Sequence, residues 1–235
     1  MRNVSLHLEQ MFKKMLFCGS LALASLAPAQ LVTLSKAVKH VENIDKFLYR
    51  INPDKQFAEY LGEVEVDGFS EDDAEVFSRI YQKAKQVGAN SFAWQPVAGI
   101  DGQPVAFDPA HYRLALYYST SVPKEDNIAY LFSSGNKPVK IRVDGKKITL
   151  QPRSYIKKVI TYGGENTVVA GNMLGSKINL SAKEGQPVQY FQVTSFDVKV
   201  DQSGTGGLNI KSGDVIGLER SYAEFLSLIY KEQKY

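Results

Sequence analysis

The sequence predicts an α+β protein, with an N-terminal β–α–β module followed by a mostly antiparallel β-sandwich-like module carrying a C-terminal capping helix. Three observations predict it. A helical apolar stripe between residues 71 and 87 is flanked by strand-like runs, short strand-like runs recur from 129 to 200, and an amphipathic run spans 221–233. Composition agrees with a packed core, because 44% of the 235 residues are hydrophobic and the net charge is only +3. The 13 Tyr and 12 Phe against one Trp suit β-rich structure.

Residues 1–29 read as a cleavable signal peptide. Lys13-Lys14 supply a positive start and Met15 to Leu26 a short apolar stretch. Ala27-Pro28-Ala29 then gives a small-x-small cleavage site, with the cut between Ala29 and Gln30. The apolar stretch is too short to span a bilayer. A leader starting at Met11 would be better formed than one starting at Met1. Cys18, the only cysteine, lies inside this stretch, so the processed chain would hold no disulfide. Residues 30–235 carry 25 basic and 24 acidic groups, a balance that gives no overall field for polyanions.

The first module is placed at residues 30–122. Within it, 31–58 is mixed: Leu31 to Leu34 and Phe47 to Ile51 favour strands, while Val38 to Val41 also fits a short helix. Tyr60 to Val66 alternates as a half-buried strand does. Ser70 is the expected N-cap of a helix over about 71–87, with Asp73 three residues on and Glu71, Asp72 and Asp73 as solvated charges favouring the positive helix end. Its stripe is Ala74, Phe77, Ile80, Tyr81, Ala84 and Val87, and Gly88 stops it. Ala89 to Val97 and Arg113 to Tyr118 are strands joined through the turn-rich stretch 99–109.

The second module is placed at 123–235. Its strand candidates are 129–132, 139–143, 146–150, 155–160, 167–170, 177–180, 190–194 and 196–200. Asp144-Gly145 is the hairpin signal, since a type I′ turn needs positive φ at both central residues. Ser203 to Gly207 reads as a glycine-rich loop. Ser221 with Glu224 predicts the start of a helix over about 221–233, which either seals the sheet or docks back onto the first module.

No pattern of catalytic residues stands out. His40 and His111 are 71 positions apart with no cysteine nearby, so no metal site and no cofactor are expected. Asp67 to Asp73 lacks the alternation of a calcium loop. Ser154 and Lys157 imitate a serine–lysine pair, but in a strand they point to opposite faces. Gly204 to Gly207 has no Lys-Ser/Thr after it to hold phosphate. A paired-carboxylate hydrolase has no distinguishing residues among so many carboxylates. Tyr112, Tyr117, Tyr118, Tyr155 and Tyr162 are the candidate ligand-contact aromatics, with Tyr190 beside them; half-buried sheet tyrosine is their plainer role.

Two resemblances follow from motifs. Glu59-Tyr60-Leu61-Gly62-Glu63-Val64, with Lys83 to Asn90, resembles small β–α–β modules of exported bacterial envelope and stress proteins over about residues 58–97. Ile141-Arg142-Val143-Asp144-Gly145-Lys146, with Leu150 and Tyr155, is similar to the PEGA-type β-sandwich repeats of bacterial surface proteins over about 128–194, although Gln151-Pro152-Arg153-Ser154 stands near the place of the Pro-Glu-Gly-Ala motif. Neither resemblance implies catalytic residues. The expectation is an exported, secreted or periplasmic, non-enzymatic module that binds an envelope protein or small ligand, with no nucleic acid, no membrane span in the mature chain and the oligomeric state open. The alternative is a carboxylate-dependent hydrolase of cell-envelope material.

Overall fold

The computed structural model describes residues 30–96, 103–121, 124–133, 135, 137–171, 175–194, 197–200, 208–211 and 213–235. The expected leader 1–29 and the loop 203–207 lie outside these residues, as do 122 and 123, where the modules were expected to meet.

Strands β1 (Leu31–Ala37), β2 (Tyr49–Arg50), β3 (Glu59–Asp67), β4 (Ser91–Gln95) and β5 (His111–Tyr118) form a first sheet ordered β1-β3-β5-β4-β2, and helix α1 (Asp73–Gln86) links β3 to β4. Both β3 and β4 run antiparallel to β5, so they are parallel to each other with β5 between them. The β–α–β crossover is therefore present, opened by one inserted strand.

Strands β6 (Ile128–Ser133), β7 (Val139–Val143), β8 (Lys146–Leu150), β9 (Ser154–Val159), β10 (Thr167–Ala170) and β11 (Lys177–Asn179) follow. After them come β12 (Gln189–Thr194), β13 (Asp197–Val200), β14 (Leu208–Lys211), β15 (Asp214–Gly217), helix α2 (Arg220–Ile229) and β16 (Lys231–Glu232). A second sheet runs β15-β12-β6-β9-β16, a third β11-β10-β7-β8, and β13 pairs with β14. The protein is thus α+β and mostly β. No helix among the described residues is long and apolar enough to cross a membrane.

The two-residue period of the second sheet explains the layering. On β6, Ala129 and Leu131 join one core with Val139, Ile141, Leu150 and Val168 of the third sheet. Phe132 of the same strand faces the other way, into a core with Phe225 and Leu226 of α2, Ile80 of α1 and Leu116 of the first sheet; Tyr130 packs against that core. The second sheet is therefore covered on both faces, and its residues are correspondingly apolar on both. Lys158 is the exception. Only 2% exposed, it reaches from β9 to an ion pair with Asp144 in the β7–β8 turn. That turn has Asp144 at φ 49° and Gly145 at φ 79°, the geometry the Asp-Gly pair predicts.

Several expectations shift by a residue or two. The α1 N-cap is Asp72, not Ser70: the Asp72 carboxylate accepts from the Glu75 amide at 3.0 Å, and the Ser70 hydroxyl accepts from Asp72 at 3.0 Å. The buried stripe is Asp73, Val76, Ile80 and Ala84, continued by Val87. Ala74 is exposed, and Phe77 and Tyr81 flank the stripe where α1 meets α2. Helix α2 is capped by Glu219, whose side chain accepts from the Tyr222 amide, and it ends at Tyr230, so the expected extension to 233 is instead the short strand β16. Residues 38–48 form neither helix nor strand. They lie across the end of α1, where the Lys85 ammonium donates to the carbonyls of Asp45, Phe47 and Ala89 at 2.8, 2.7 and 3.0 Å. Gly88 ends the helix at φ 76°, and a Cβ there would lie 1.7 Å from the Val41 carbonyl oxygen.

Candidate functional site

Helix α2 joins the two halves through polar as well as apolar contacts. The Leu48 amide donates to the Ser221 hydroxyl at 3.1 Å, and the Arg50 amide donates to the Glu224 carboxylate at 2.6 Å. The Arg50 guanidinium continues to the Ser227 carbonyl at 2.8 Å. Short β2 therefore runs against the helix as well as against β4.

A cleft of about 590 Å³ opens along this junction. Arg50 and Asp54 border it from β2 and the loop beyond, Trp94 from β4, Tyr130 from β6, Tyr190 from β12, and Arg220 and Glu224 from α2. Tyr130 and Tyr190 are neighbours on adjacent parallel strands, with rings stacked at 5.4 Å. Trp94 stands edge-on to Phe107 at 5.9 Å.

The two glutamates of the cleft are tied to neighbouring groups. One Glu224 oxygen accepts from the Tyr190 hydroxyl at 3.1 Å and Arg220 Nε at 2.7 Å, and the other takes the Arg50 amide. Glu125 accepts from Lys157 at 2.7 Å through one oxygen and from the Tyr130 hydroxyl at 3.1 Å through the other. Burial, then the neighbouring carboxylates, push both tyrosine hydroxyls well above their ordinary ionisation, so they stay donors. The arrangement can hold a ring or an amide against aromatic faces, with guanidinium groups at the rim. Both oxygens of each of these glutamates are already bonded to the protein.

The aromatic residues singled out by sequence lie elsewhere. Tyr112, 2% exposed, is in the core of the first sheet against Phe107. Tyr117 packs against Tyr60 on the same sheet, and Tyr118 lies against the core. Tyr155 is 7% exposed beneath Phe132 and Tyr130, and Tyr162 is exposed on a turn. None of these five lines the cleft, whereas Tyr190 does. Sequence reasoning missed Trp94, Tyr130, Arg50 and Arg220. Their only signal was composition, since the residues that meet come from five separate elements. Ser154 and Lys157 do not form a pair: Ser154 donates to the Gln151 carbonyl at 2.6 Å and Lys157 bonds Glu125.

Pairing of β3 with β5 creates one cluster that spacing concealed. Glu65, Asp67 and His111 place possible ligand atoms within 4.8 Å of one another. Asp67 holds His111 Nδ1 at 2.5 Å, while Arg113 donates twice to Glu65, both at 3.2 Å. Both of these bonds go to the same Glu65 oxygen, Oε1.

Compared with family models, curated proteins and solved structures, the chain matches none of them.

Proposed function

We propose that this is a secreted or periplasmic, non-enzymatic binding protein of the bacterial envelope type, whose second and third sheets form a β-sandwich-like module and whose ligand seat is the cleft beside α2. The observation that carries the reading is the combination of Trp94, Tyr130 and Tyr190 with Arg50 and Arg220 around a cavity whose glutamates are already bonded. Proton transfer needs a carboxyl group free to reach the substrate, whereas recognition needs fixed donors and apolar faces. The ligand class that fits is a small polar molecule or peptide segment with an amide or ring to lie on the tyrosines. The alternative, a carboxylate-dependent hydrolase of envelope material, draws on Glu125, Glu224 and Asp54 bordering the same cavity.

Trp94 is the only tryptophan, so its emission reports the cleft directly. Titration with soluble peptidoglycan fragments should change Trp94 fluorescence saturably, leave the fragments intact by mass spectrometry, and fail in Tyr190→Ala. Cleavage of the fragments, lost in Glu224→Gln or Glu125→Gln, would establish the hydrolase instead. Neither fluorescence change nor cleavage would remove the cleft as the seat for this ligand class. Export is tested separately, by finding Gln30 at the amino end of protein taken from cells.

A further inference from the structure

The outer face of the third sheet gathers positive charge that no carboxylate among the described residues answers. Val139, Ile141 and Val143 of β7 point inward to the core, so Lys140 and Arg142 point outward. Arg142 is directly opposite Lys147 on β8 and Val169 on β10, and Val169 is opposite Lys177 on β11. Lys147, Arg142, Val169 and Lys177 therefore form one row across four strands, spanning roughly 14 Å at the usual strand spacing. Lys140 stands two residues along β7, opposite Thr149.

Among the described residues, none of these four cations has a carboxylate partner. The acids at the turn end of the sheet are engaged: Asp144 takes Lys158 and the Thr167 amide, and Glu165 accepts the Thr167 hydroxyl. Like charges directly opposite each other cost stability. The two-residue turn makes Val143 and Lys146 the hydrogen-bonded pair, which leaves Arg142 and Lys147 in the closer, non-hydrogen-bonded kind. The balance of charge over residues 30–235 is nearly even, so this face is a local segregation rather than a general excess.

Between three of these cations runs a groove of about 600 Å³, bordered by Lys140, Arg142, Lys147, Thr149 and Gly171. We propose that this groove binds a linear acidic polysaccharide, its carboxylate or sulfate groups meeting Lys140, Arg142 and Lys147 and its hydroxyls meeting Thr149. A concave face follows a chain better than a bilayer. No outward residue of the four strands is aromatic, so single-stranded nucleic acid would find no stacking platform. The proposal is independent of the cleft, which lies on other elements.

Isothermal titration of the whole protein with polygalacturonate tests it. Binding should weaken with salt, and Arg142→Glu/Lys147→Glu should lower affinity by about tenfold or more. Lys46→Glu/Lys55→Glu changes net charge equally on a distant part of the chain and should alter affinity by no more than about twofold. If the first variant melts early, Arg142→Gln/Lys147→Gln serves in its place. Equal losses in both double variants, no binding at low salt, or tighter binding to oligothymidylate or to phosphatidylglycerol vesicles would each overturn the proposal.

Discussion

Asp73 stands where three elements meet. Its carboxylate accepts both ends of the Arg153 guanidinium, at 2.9 and 3.0 Å, and the Tyr230 hydroxyl at 2.8 Å. Arg153 holds φ at 50° to do so, and its guanidinium lies 5.0 Å over the Tyr230 ring. A forked pair of this kind, with Asp73 only 9% exposed, depends on both charges. Asp73→Asn keeps the shape but leaves Arg153 unanswered, and should cost about 2–4 kcal/mol in urea melts. The acidic run Glu71-Asp72-Asp73 was legible as a helix start. Which acid faces inward was not, because Arg153 lies 80 positions away and nothing local marks it as the partner. The same holds for Glu224, legible as part of a helix start and found instead binding Arg50.

At the scale of elements, periodicity found both helices and most of the strands. The strands 139–143, 146–150 and 167–170 match residue for residue, because alternation and an Asp-Gly turn are local signals. Phe47 to Ile51, read as strand-favouring, contains β2, whereas β14, β15 and β16 escaped; β16 is defined by the strand alongside and not by its own pattern. The α1 stripe was rotated toward Phe77, a large apolar residue that outweighed Val76 in the reading. Phe77 belongs to the contact between helices, 5.5 Å from both Tyr222 and Phe225. Phe225, 1% exposed, lies deeper. Phe225→Ala should therefore cost about 3–5 kcal/mol, and Phe77→Ala roughly half as much, by denaturant unfolding.

Across the whole molecule, several tyrosines are kept un-ionised by packing between sheets and helices. Burial is the first cause for Tyr112, Tyr130, Tyr190, Tyr222 and Tyr230, and negative neighbours add to it; Tyr222 is pushed up to about 12 and the others shift in the same direction. In the unfolded chain these hydroxyls ionise near pH 10. The folded state then binds more protons, so stability is full below that value and falls as the pH rises through it. Denaturant midpoints should drop as the pH rises from about 10 toward 12, and the tyrosinate absorbance should appear with unfolding. The α+β class was legible in the sequence, because patterning sets it. For α2 the sequence offered sealing the sheet or docking onto the first module as alternatives; that it does both was not legible, and the cleft depends on that placement. Leu48 meets Ser221 across 173 positions. Contacts so distant along the chain form slowly, and until α2 seats itself the first and second sheets each present a bare greasy surface to water. A chain in which α2 had not yet seated would therefore be sticky, and a holdase would be well suited to shield it.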